Sequence, residues 1–264
     1  MPTIREIQSR EPDDPPITML TAYDSSTAAV VDQAGIDMIL VGDTMGQTVL
    51  GYDSTLPVTV DEMASRTGAV VRATEEAIIV ADLPFLSYGV DQSESIVNAG
   101  RMLKEEGAKA VKLESGPHTV EVTERLTQLG IPVMAHLGLT PQHVNLLGGY
   151  FRQGTEADAA DRILELARAH EEAGAFSVVL EHMPASLGRT ITEELAIPTI
   201  GIGAGPDTDG QVLILHDIVG LSDRLPPFAK QFGDVKGELE RAIGDYRDAV
   251  IEGEVRFDGY SRML

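Results

Sequence analysis

Eight short apolar runs recur along the chain, at residues 17–22, 38–42, 77–80, 109–114, 132–137, 177–181, 198–202 and 212–215. Each is bounded by glycine, proline or polar residues, the pattern of a strand buried on both faces. Between most of them lie longer segments with helix start and stop signals. Residues 25–34 end at Gly35, 92–106 at Gly107, 119–129 at Gly130 and 156–173 at Gly174, each glycine suited to terminate a helix. Residues 60–74 open with Asp61 and Glu62, which favour a helix N-terminus, and 184–195 form a shorter helix. A helix at 3–9 with Thr3 as its cap precedes the first run, and an amphipathic helix at 228–252 follows the last.

Alternation of this kind predicts a parallel sheet, and eight units predict a closed (β/α)8 barrel. One domain is expected over residues 1–264, with a short N-terminal helix and a C-terminal helical extension. A doubly wound open sheet is the alternative, but no glycine-rich nucleotide-binding turn follows the first strand. Two connections are long: residues 44–57, and a glycine-rich loop through Gly154 in which Gly148-Gly149-Tyr150 suggests a flap.

Charged or imidazole side chains interrupt several apolar runs. Asp43 follows the second strand and Asp82 the third; Lys112 and Glu114 lie in the fourth, His136 in the fifth and Glu181 at the end of the sixth. Lys112 and Glu114 are two apart and therefore share a face, either the barrel interior or the helix-packed exterior. Taken singly, each has a structural explanation. An aspartate at a strand end can cap a helix, a histidine in an apolar run can be a satisfied core group, and Lys112 with Glu114 can be an ion pair. Glu181 resists that reading, because a carboxylate entering an apolar strand is heavily desolvated without a partner. Barrel active sites gather at the carboxyl ends of the strands, and it is the joint occurrence there that points to a site.

Composition narrows the possibilities. With 20 Lys+Arg against 42 Asp+Glu, the formal charge of −22 disfavours nucleic acid and anionic membranes as partners. Acids spread over nearly every helical segment suggest whole-surface adaptation to high salt. Cysteine is absent, which removes disulfides, thiolate nucleophiles and Cys-ligated zinc. No apolar run has transmembrane length and no signal-peptide core opens the chain, so a cytoplasmic location is expected.

The aspartates and a third carboxylate are hard oxygen ligands suited to Mg²⁺. A lysine would counter a substrate's negative charge, and a glutamate in apolar surroundings has the raised pKa a general base needs. Chelation of a 2-oxo acid would favour proton abstraction beside its carbonyl, then carbon–carbon bond formation or cleavage. The turn Gly201-Ile-Gly-Ala-Gly205 is a weaker candidate for ligand contact. His118, His143, His170, His182 and His216 form no metal-binding spacing.

The stretches VGDTMGQTVLGYDSTLPVTVDEM, ADLPF, VKLE, AHLGLTPQ, GGYFRQG, VLEHMP and IPTIGIGAG occur in the order seen in ketopantoate hydroxymethyltransferases, and the resemblance covers about residues 17–230. It implies a (β/α)8 TIM barrel of the phosphoenolpyruvate/pyruvate-binding type. It also implies transfer of a hydroxymethyl group from 5,10-methylenetetrahydrofolate to 3-methyl-2-oxobutanoate, giving 2-dehydropantoate for pantothenate and coenzyme A synthesis. By that resemblance Asp43 and Asp82 bind Mg²⁺, and Glu114 joins the metal's shell directly or through water. Lys112 contacts the oxo acid with Asp43, Thr44 and Asp82 beside it, Glu181 is the base for the C3 proton, and His136 orients its neighbours. Thr44 departs from the family's usual serine; the hydroxyl is kept on a stiffer, β-branched side chain. Such enzymes form large homo-oligomers, often decamers. The competing expectations are a Mg²⁺-dependent 2-oxo-acid lyase or mutase of the isocitrate-lyase type, whose catalytic loop carries a cysteine, and a non-catalytic barrel that binds an oxo acid.

Overall fold

The computed structural model describes residues 2–10 and 14–255. Eight parallel strands follow one another around a closed barrel: β1 (Ile17–Thr21), β2 (Met38–Val41), β3 (Ile78–Asp82), β4 (Ala110–Glu114), β5 (Val133–Gly138), β6 (Ser177–Glu181), β7 (Thr199–Ile202) and β8 (Gly210–Leu213). All eight expected strands are present. The eighth begins earlier than its apolar run suggests, because Gly210 pairs with Ile17 of β1. Glycine carries no strand signal, yet a Cβ at this position would lie 2.5 Å from the Ile17 carbonyl oxygen.

The helices are α1 (Ile4–Gln8), α2 (Ser25–Gln33), α3 (Met45–Thr48), α4 (Val60–Val71), α5 (Gln92–Lys104), α6 (Val120–Gln128), α7 (Val144–Leu147), α8 (Ala157–Glu172), α9 (Ala185–Glu194), α10 (Leu215–Ile218) and α11 (Val235–Ile251). Local chemistry sets several starts. Thr59 and Glu62 form a reciprocal capping box on α4, and the Asp24 and Asp91 side chains cap α2 and α5. Outward-facing Ala135, Leu137, Val178 and Leu180 pack with Leu187 and Ile191 of α9 and Ala167 of α8 into a dry layer around the barrel.

Between β7 and β8 there is no helix, and residues 203–209 alone make the crossover. Parallel neighbours ordinarily need a longer connection. Here Gly203 and Gly205 take left-handed conformations at φ 68° and 94°, open to glycine at little steric cost. The Asp209 carboxylate then accepts from the Thr199 backbone N–H at 2.8 Å and its hydroxyl at 3.0 Å, fastening the start of β7.

The chain divides into two compact units, the barrel ending at Leu215 and a second beginning at His216. In the second, α11 starts at Val235, later than the expected residue 228. Asp234 caps it through the Gly237 N–H, which fixes the start there.

Candidate active site

The carboxyl ends of β2 to β6 bring together all seven residues expected at the site. Asp43, Thr44, Asp82, Lys112, Glu114, His136 and Glu181 line one cavity of about 60 Å³ with Thr21, Leu40, Pro141, Val179, Ile202 and Val212. Lys112 and Glu114 therefore face the barrel interior. Strand register does part of the assembly, placing Asp82 beside Lys112 and Glu114 beside His136. A larger hollow of about 580 Å³ lies at the opposite end, beside Pro198, Ile17 and Asp209, and contains none of these side chains.

The charged groups are closely paired. Lys112 Nζ lies 2.6 Å from Asp82 Oδ1, and the Asp43 backbone N–H donates to Asp82 Oδ2 at 3.1 Å. Lys112 Nζ also reaches His136 Nδ1 at 3.4 Å. Since an ammonium only donates, Nδ1 is the accepting nitrogen of His136 and Nε2 carries the proton. That Nε2 stands 3.0 Å from Glu181 Oε2, although not in hydrogen-bond alignment. Glu181 is 15% exposed, whereas the Asp82, Lys112 and Glu114 side chains are 5% exposed or less.

Electrostatics follow from this packing. Burial, reinforced by the charges of Asp82 and Glu114, pushes the Asp43 carboxyl well above the usual carboxylate range. Burial takes Glu114 up to about 7, with His136 and Lys112 pulling against it. Burial also opposes the charge on Lys112, but Asp82, Asp43 and Glu114 together raise its pKa above the ordinary lysine value. One lysine thus faces four carboxylates, an excess of negative charge that is unfavourable in a buried site.

A hard divalent cation fits this donor set. Among the described residues no three histidine or carboxylate groups converge into a direct-ligand cage. The fit rests on donor chemistry: these are hard carboxylate oxygens, and Mg²⁺ takes one or two carboxylates while keeping several waters.

Neutral groups complete the site, and the sequence did not single them out. Gln142, 4% exposed, donates from its side-chain nitrogen to Asp43 Oδ2 and from its backbone N–H to Glu114 Oε2, each at 2.9 Å. The Tyr88 hydroxyl donates to Gln142 Oε1 at 2.7 Å and accepts from the Glu114 N–H at 3.0 Å. Tyr23 OH lies 2.9 Å from Thr44 Oγ1, which fixes the threonine hydroxyl. His143 Nδ1 comes within 3.6 Å of Glu114 Oε2, so this histidine belongs beside the site after all. A signal for Gln142 did exist: it closes the AHLGLTPQ motif, and Pro141 fixes the turn that carries it.

Two loops touch at Tyr150. Gly148 and Gly149 have φ of 74° and 144°, and Tyr150 OH accepts from Gln47 Nε2 at 3.4 Å. Farther along, Arg152 donates to the Met183 carbonyl at 3.1 Å and Gln153 to that of His182 at 2.9 Å. The Gly201–Gly205 turn contributes Ile202 to the cavity; its Gly205 packs so tightly on α9 that a Cβ would lie 2.5 Å from that of Ala185.

Known proteins resemble this chain at two levels. The phosphoenolpyruvate phosphomutase of Streptomyces platensis subsp. rosaceus superposes with a TM-score of 0.63 at 14% identity, over 95% of this chain and 87% of its own. A 2,3-dimethylmalate lyase of the PEP mutase/isocitrate lyase superfamily gives 0.60 at 15%, over 100% and 89%. Those likenesses establish the barrel type. In sequence, the 3-methyl-2-oxobutanoate hydroxymethyltransferase of Halobacterium salinarum is 66% identical over 96% of this chain and 93% of its own length. Those of Haloarcula marismortui and Geobacter metallireducens are 63% and 50% identical, over 99% and 98% of this chain and 96% and 97% of their own. The family model for ketopantoate hydroxymethyltransferase matches residues 2–255; the chain belongs to the ketopantoate hydroxymethyltransferase family.

Proposed function

We propose that the protein transfers a hydroxymethyl group from 5,10-methylenetetrahydrofolate to 3-methyl-2-oxobutanoate, forming 2-dehydropantoate. One observation carries the reading: a single cavity has a partly exposed carboxylate, Glu181, on one side and the buried Asp43–Asp82–Lys112–Glu114 cluster on the other. The substrate's C3 proton and its 2-oxo acid end need those two environments.

In this mechanism Lys112 meets the substrate's negative charge, with Asp43, Asp82 and the Thr44 hydroxyl alongside. Asp43 and Asp82 would hold Mg²⁺, with Glu114 joining directly or through water; when bound, the ion supplies a Lewis acid to the carbonyl. Glu181 takes the C3 proton, and the His136 Nε2–H, 3.0 Å away, steadies the charge of that carboxylate. The electron pair released from the C–H bond then forms the new bond to the folate's methylene carbon as that carbon's bonds to the two folate nitrogens break. One water supplies the hydroxyl oxygen, the nitrogens take up the protons, and tetrahydrofolate leaves beside 2-dehydropantoate. The surrounding apolar wall of Val179, Ile202 and Val212 limits water at the reacting carbon. We place the enzyme in the cytoplasm as a homo-oligomer; no helix among the described residues is long and apolar enough to cross a membrane.

Deuterium uptake at C3 of 3-methyl-2-oxobutanoate, measured with Mg²⁺ and without folate, isolates the proton step. Glu181→Gln is expected to abolish uptake while leaving Mg²⁺-dependent binding of the oxo acid within a few-fold. Normal exchange by that variant would remove Glu181 from the role of base.

A further inference from the structure

Gln142 uses every hydrogen-bonding group of its amide, and its backbone N–H, on one corner of the cavity. Nε2 donates to Asp43 Oδ2 and to the Leu83 carbonyl, both at 2.9 Å, while Oε1 accepts from Tyr88 OH at 2.7 Å. The two ends of an amide are distinguished only by their surroundings, and here these decide. The Leu83 carbonyl only accepts, so the NH₂ end must face it, and with it Asp43 Oδ2. The Tyr88 hydroxyl, already accepting from the Glu114 N–H, then gives its proton to Oε1. No group in this ring is free to turn alone.

We infer that Gln142 is a positioning residue for the cation-binding carboxylates. Its side chain commits one oxygen of Asp43 to the protein and leaves the other for the cation, and its backbone N–H does the same for Glu114. The inference rests on the reading of Asp43 and Glu114 as groups that hold the cation. A neutral amide suits this place better than a second lysine. It fixes two mutually repelling carboxylates without cancelling the negative charge that attracts the ion. The division of labour is clear in the contacts: Lys112 holds Asp82, and Gln142 holds Asp43 and Glu114. Because Gln142 sits in the turn after β5, the same turn that anchors the carboxylates also begins the loop that carries Tyr150 to Gln47.

Mn²⁺ binding to the full chain, followed by electron paramagnetic resonance, tests this without reference to turnover. Gln142→Met keeps the length of the side chain and removes both its donor and its acceptor. It is expected to weaken Mn²⁺ binding roughly 10- to 100-fold, the usual effect of losing a group that orients a metal ligand, and to broaden the bound-ion spectrum. Tyr88→Phe deletes one oxygen and should weaken binding less, by about 3- to 10-fold on the same scale. Asp43→Asn is the reference. If it abolishes binding while folded Gln142→Met stays within twofold of the parent with an unchanged spectrum, the positioning role is overturned. If Asp43→Asn also binds normally, the cation site itself is misassigned. Should Gln142→Met fail to fold, unchanged affinity and spectrum in Tyr88→Phe would overturn the proposal equally well.

Discussion

The mouth of the barrel has two unlike sides. From β2 to β6 the strand ends carry Asp43, Asp82, Lys112, Glu114, His136 and Glu181, and long folded loops follow β2 and β5. Across the cavity, β7 and β8 offer Ile202 and Val212, and a crossover without a helix joins them. The strands are built alike; what differs is how much has to be held. Buried charges are tolerable only when each has a partner, so the charged side recruits loop groups such as Gln142 and Tyr88. The apolar side needs no such partners, and a short connection suffices to join its two strands.

That contrast can be broken from either side. The largest effect is expected from Lys112→Met, which strips the buried carboxylates of their one ammonium. It should abolish turnover and lower stability by about 3–5 kcal/mol, the usual cost of unpairing a buried ion pair, measured by urea unfolding. Val212→Asp is the mirror experiment, placing a carboxylate beside Met19 in register, where the strand offers no cation. It should destabilise the protein by about 2–4 kcal/mol, somewhat less because the new group can protonate. A loss below about 0.5 kcal/mol, the range of harmless surface changes, would show that the apolar side tolerates charge and that the contrast is not energetic.

The smallest effect comes from a buried histidine remote from the mouth. His170, fully buried between α6 and α8, has Nδ1 3.0 Å from Thr123 Oγ1, and burial takes its pKa down to about 4. A base with a depressed folded pKa contributes stability above its unfolded value of 6.5, and that contribution is lost as pH falls through about 4. It amounts to about 3 kcal/mol at most. Parent and His170→Gln stability curves should therefore converge as pH drops from 6.5 to 4; parallel curves would contradict the burial effect.

The sequence made some of this legible and hid the rest, for physical reasons. Strands buried on both faces leave apolar runs, and a charge inside such a run stands out, which is why Asp43, Asp82, Lys112, Glu114, His136 and Glu181 could be named. The start of β8 was hidden because Gly210 has no side chain to pattern. The short helices α3 and α7 lie within loops that read as irregular. Gln142 and Tyr88 were hidden for another reason: a neutral polar residue in a loop looks like a solvated turn until its partners are known. Those partners, Asp43 and Glu114, are far away along the chain.

The short crossover between β7 and β8 also bears on how the chain folds during synthesis. Those two strands can pair as soon as both have emerged, since little chain must be looped out between them. The barrel's final seam is the opposite case. β1 pairs with β8, and the Leu215 N–H donates to Thr21 Oγ1 across 194 residues. Until β8 leaves the ribosome, β1 presents an open strand edge, the feature by which nascent chains stick to one another. The protein's most vulnerable interval thus lasts through nearly the whole of its translation, and ends with the arrival of a strand already paired to its neighbour.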